Sequence, residues 1–60
     1  MKFKFEYALV SPSGKYYTGC TGEKMLSENV RDAFTYTYEG AEVKKAKFYF
    51  FKYYSIVKVI

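Results

Sequence analysis

Residues 48–60 read Phe48-Tyr-Phe-Phe-Lys-Tyr-Tyr-Ser-Ile-Val-Lys-Val-Ile60. All but Lys52, Ser55 and Lys58 are aromatic or β-branched, and no turn residue interrupts them. Such side chains fit a pleated surface, so the stretch predicts one long strand over about 47–60. Its alternate positions form two sets. Tyr49, Phe51, Tyr53, Ser55, Val57 and Val59 carry no charge, whereas Phe48, Phe50, Lys52, Tyr54, Ile56, Lys58 and Ile60 include two lysines. An unpaired ammonium is costly to bury, so the uncharged set is expected to face the core.

The other end of the chain supplies a partner for that strand. Phe3, Phe5, Tyr7 and Leu9 alternate with Lys2, Lys4, Glu6 and Ala8, a period of two that predicts a strand over 2–10. Ser11-Pro-Ser-Gly14 has the residues of a type I turn, with Pro presetting φ at the second position. A returning strand over 15–20 completes a hairpin. Between the hairpin and the last strand, Leu26, Val30, Ala33, Phe34 and Tyr38 recur at spacings of three and four. With Ser27 as a cap and Glu28 in the first turn, they predict a helix over 27–38, stopped at Gly40. Residues 41–47 suit either a helical turn or the start of the last strand.

The expected fold is therefore α+β. It is a two-layer β-β-α-β domain spanning residues 1–60, with a three-stranded antiparallel sheet and one helix. One helix covers one sheet face. The other face is expected to show Lys2, Lys4, Phe48, Phe50, Lys52, Tyr54 and Lys58, together with Ile56. Exposed apolar surface on this scale marks an interaction site, and these seven residues other than Ile56 are the candidate binding set.

Composition narrows the chemistry. The 60 residues include 6 Phe, 8 Tyr, one Cys and no His. Without His the commonest general base and metal ligand are missing. A lone Cys20 makes no internal disulfide, and the four glycines form no phosphate-cradling loop. No catalytic residue, metal or cofactor is expected. No apolar run approaches the ~18 residues of a membrane span, and Lys2, Lys4 and Glu6 break any leader-like opening, so a cytoplasmic location without membrane contact is expected. The net charge of +4 is unevenly spread. Residues 21–43 hold Lys24 and Arg31 against five acids, whereas residues 44–60 hold five lysines and no acid.

The segment Tyr7-Ala-Leu-Val-Ser-Pro-Ser-Gly-Lys-Tyr-Tyr17-Thr18-Gly19 resembles the opening hairpin of GIY-YIG nuclease domains over residues 5–21. Phe5-Glu6-Tyr7 stands at the first motif, lacking its glycine, and Tyr17-Thr18-Gly19 at the second, with nine residues between the tyrosines. The resemblance implies water-orienting roles for Tyr7 and Tyr17 and a phosphate-steadying arginine on the first helix. Arg31 lies about one turn beyond the position that arginine takes. Glu39 and Glu42 are the acids left for a metal-binding glutamate.

Three functional expectations follow. The first is a non-enzymatic binding protein that docks on a larger complex or on a second copy of itself and inhibits or modulates it. Short accessory proteins of phages and mobile elements are of this kind. The alternative is a basic module for single-stranded nucleic acid, using aromatic rings as stacking platforms. The third is a degenerate nuclease of the GIY-YIG type.

Overall fold

The computed structural model describes residues 4–60. Four strands and one helix appear in the order β1 (Tyr7–Val10), β2 (Tyr16–Tyr17), β3 (Leu26–Ser27), α1 (Tyr38–Lys47) and β4 (Ser55–Lys58), with short 3-10 turns between them. The sheet is antiparallel and ordered β3-β2-β1-β4. The α+β class agrees with the expectation, but the sheet has four strands rather than three. The additional strand is β3.

The hairpin forms where the turn residues place it. The Gly14 N–H donates to the Ser11 carbonyl at 2.9 Å, and the Lys15 N–H donates to Ser11 Oγ at 3.1 Å. Gly14 has φ +87°, which a side chain would strain. Its strands are shorter than the expected 2–10 and 15–20. Of the first range, residues 2 and 3 lie outside the described residues. The second strand ends early because Gly19, at φ +85°, turns the chain away. A Cβ on Gly19 would also lie 2.6 Å from Cδ2 of Phe34. The place beside β1 that β2 vacates is taken by Tyr36, which exchanges backbone hydrogen bonds with Tyr7 at 3.0 and 2.7 Å.

The helix is not at 27–38. Local side-chain hydrogen bonds hold that segment in tighter turns. Ser27 Oγ accepts from the Asn29 N–H at 3.1 Å and bonds Asp32 Oδ2 at 2.7 Å. Asn29 Oδ1 accepts from the Arg31 N–H at 3.0 Å and caps a single 3-10 turn, Val30–Asp32. Such bonds compete with helical ones, and the β-favouring Thr35 and Tyr36 then run extended. Helix α1 begins at Tyr38, capped by Thr37. Thr37 Oγ1 accepts from the Gly40 N–H at 3.0 Å, so Gly40 lies in the first turn rather than past the last. Glu39 near the start and Lys44, Lys45 and Lys47 near the end complement the helix dipole. This settles residues 41–47 as helix.

The long strand is also broken. Residues 49–51 form a 3-10 turn, and further turn bonds run from the Lys52 N–H to Tyr49 and from the Tyr54 N–H to Phe51, each 2.9 Å. Only Ser55–Lys58 pairs as a strand. The turn swings Phe51 inward, where it is fully buried with Leu9 and Ala41. Tyr17, Met25, Tyr36, Phe48, Tyr54 and Ile56 pack around them. Breaking the period of two also changes which residues face inward. Ile56, opposite Leu9 in the sheet, packs on the core, whereas Tyr49 and Tyr53 from the uncharged set do not. The helical layer covers β1 and β4 on the Leu9–Ile56 side.

Candidate functional site

The C-terminal turn of α1 and the 3-10 turn after it bring aromatic rings and lysines together at one end of the molecule. Tyr49 is 88% exposed, Tyr53 74% and Phe50 50%. Burying rings is the main way aromatic residues contribute to stability, so three left in solvent on one turn need another explanation. Around them, Lys44 Nζ lies 4.7 Å and Lys47 Nζ 5.9 Å from the Phe48 ring centre, and Lys52 Nζ lies 5.6 Å from that of Tyr53. These are cation–π distances. Of the three exposed rings, Phe50 is backed by the core. Phe50 lies 4.5 Å, centre to centre, from buried Phe51, and Phe48 lies 5.6 Å from Phe50.

An open groove of about 740 Å³ continues from this end along the junction of α1 and β4. Tyr38, Glu42, Lys45, Ala46 and Tyr49 line it from the helix side, and Lys52, Ser55 and Ile56 from the other. A second cleft, of about 450 Å³, lies beside β3 and is lined by Glu23 and Asp32 among others, with the exposed Cys20. Lys45 and Lys52 line the first groove against Glu42, and Glu23 and Asp32 line the second against Lys24, so each groove holds a small excess of the charge that its part of the sequence favours.

The expected binding set is only partly gathered. Phe48, Phe50 and Lys52 share the aromatic end, but on a turn rather than a sheet face. Phe48 and Tyr54 are half-buried, with Tyr54 edge-on to Phe51 at 4.8 Å. Lys58 is exposed on β4 and Lys4 is exposed before β1. Lys2 lies outside the described residues. The flat aromatic and basic face does not form, because the 3-10 turn removes residues 48–54 from the sheet. Tyr49, Tyr53, Lys44, Lys45 and Lys47 were missing from the expected set. The helix-end signal that finds these lysines is the cap at Thr37 followed by cations one helix length later.

The tyrosines of the hairpin motif pack against neighbours. Tyr7 meets Tyr38 edge-on at 5.2 Å, and Tyr17 meets Phe51 edge-on at 5.0 Å. Arg31 sits on the 3-10 turn Val30–Asp32, not on the helix. Glu39 and Glu42 are exposed on α1. Among the described residues, no three carboxylate or thiol side chains gather in one place. Burial, and secondly the neighbouring Tyr17, push the Tyr36 phenol up to about 12, and the same causes raise that of Tyr54. Among the described residues, no helix is long and apolar enough to cross a membrane. In comparisons with known proteins, the chain matches no family model, no curated protein and no solved structure.

Proposed function

We propose that the chain is a non-enzymatic binding module that docks on an acidic surface of a larger protein through its aromatic and basic end. The observation that carries this reading is the exposure of Tyr49, Phe50 and Tyr53 on one turn, beside Lys44, Lys45, Lys47 and Lys52. Rigid, amphipathic rings at low entropic cost are typical anchors of protein interfaces. The lysines steer an acidic partner to them and suppress basic ones. The packing of Tyr7 on Tyr38 and of Tyr17 on Phe51 supports structural roles for those tyrosines over catalytic ones.

A second reading has one observation in its favour. Lys52 lies over the Tyr53 ring, and alternating rings and ammonium groups also suit the bases and phosphates of a single strand.

One experiment separates the two. Tagged protein is used as bait in a lysate with and without nuclease treatment, beside a bait carrying Tyr49→Ala and Tyr53→Ala. A protein captured by the parent and lost by the variant supports docking. Capture that disappears with nuclease, together with salt-sensitive binding of single-stranded DNA, supports the second reading and overturns the first.

A further inference from the structure

Among the described residues, strand β4 is an edge strand, and its unpaired side borders the groove against α1. The hydrogen-bond phase shows what that side offers. The Val59 N–H donates to the Glu6 carbonyl at 2.7 Å, and residues 55–58 continue the same antiparallel register with β1. Backbone groups alternate in direction along a strand, so those of Ser55 and Val57 face β1. The N–H and C=O groups of Ile56 and Lys58 face outward. Edges are usually guarded by Pro, bulges or several charges. The register here is unbroken, Pro is absent, and Lys58 is the one charged residue of β4.

We propose that β4 takes an extended, acidic segment of a partner protein as a fifth strand, with alternate side chains of that segment seated in the α1–β4 groove. This names the binding mode at the site above and rests on the protein-docking reading. A strand presents side chains to its two faces in turn, so every second residue of the added segment enters the groove. There it meets Lys45 and Lys52, with Tyr38, Tyr49 and Ile56 as apolar walls and Glu42 as the one acid. Lys58 adds a third cation on the strand itself. Acidic side chains at alternate positions satisfy this charge pattern. A second copy of the chain brings +4 of like charge and its own Lys58 to the same edge. A nucleic-acid strand has no amide ladder to complete the outward groups of Ile56 and Lys58. The edge and the groove together therefore select a peptide.

The test uses the intact, isotope-labelled protein and two short synthetic peptides, one alternating valine with glutamate and one alternating valine with lysine. The Val–Glu peptide is expected to shift the Ile56 and Lys58 amide resonances and slow their hydrogen exchange. The Val–Lys peptide is expected to bind at least about tenfold more weakly. Lys58→Pro deletes one outward N–H at a position where an edge strand tolerates proline, and is expected to weaken binding about tenfold relative to Lys58→Ala. Unchanged exchange at both amides overturns the proposal, as does equal binding by Lys58→Pro and Lys58→Ala. A dimer in sedimentation that Lys58→Pro dissolves assigns the edge to a second copy and also overturns it, as does displacement of the peptide by oligothymidine. If capture from lysate is lost with Tyr49→Ala and Tyr53→Ala but survives Lys58→Pro, strand addition fails while the docking reading stands.

Discussion

Phe51 and Tyr49 sit two residues apart on one 3-10 turn, yet one is fully buried and the other 88% exposed. The turn divides the aromatic residues of this region into two groups with different work. On its inner side Phe51 meets Tyr17, Phe48, Phe50 and Tyr54 at ring distances between 4.5 and 6.1 Å and completes the core. On its outer side Tyr49 and Tyr53 bury little surface and leave most of their rings in solvent. A strand would have placed residues 49, 51 and 53 on the same face. The turn is what separates the buried ring from the exposed ones within five residues of chain.

Substitution on the two sides should therefore give opposite results. Phe51→Ala removes the largest buried side chain, and is expected to cost about 3–5 kcal/mol, comparable with the whole stability of a domain this small. Tyr49→Ala should change stability by no more than about 0.5 kcal/mol while weakening partner capture. Urea denaturation of both variants, followed by circular dichroism, checks the pair. Equal losses from the two would erase the distinction between the sides.

The turn is held in place by the helix before it, so weakening the helix start should blur the contrast less severely. Thr37→Ala removes the hydroxyl that accepts the Gly40 N–H and is expected to cost about 1 kcal/mol. Thr37→Ser, which keeps an accepting oxygen, should recover most of that loss in the same denaturation measurement.

The smallest expected effect appears only at alkaline pH. The Tyr36 phenol, raised to about 12 mainly by burial, keeps its proton in the folded chain at a pH where the unfolded chain has lost it. Its contribution is complete below about pH 10, the ordinary tyrosine value, and is lost as pH rises from there through about 12. Tyr36→Phe has no proton to lose, so its stability should decline less steeply over that window than the parent's. Parallel slopes would show that burial of this phenol is not what links folding to pH.

Legibility from sequence varied along the chain for physical reasons. The hairpin was visible because Ser11, Pro12 and Gly14 act through their own backbone and near neighbours. The helix was misplaced because two segments competed. Residues 27–38 have an apolar stripe, but Ser27, Asn29 and Asp32 spend their hydrogen bonds on local turns. Residues 38–47 have a weak stripe but a sound cap and a cation-rich end. Capping chemistry outweighed periodicity. The candidate site was half visible. The period of two that puts Phe48, Phe50 and Lys52 outward also sends Tyr49 and Tyr53 inward, on a pleat that does not exist.

Local chemistry settled the α+β class, the turn at Ser11–Gly14, the lysine-rich character of residues 44–60 and the surplus of aromatic residues over what one small core can hold. Which rings are buried depended on contacts between distant parts of the chain. Phe51 can occupy the space beside Leu9, Ala41 and Tyr17 only if residues 49–54 abandon the extended form their propensity favours. Burying one large ring among several others outweighs the small per-residue preference for a strand.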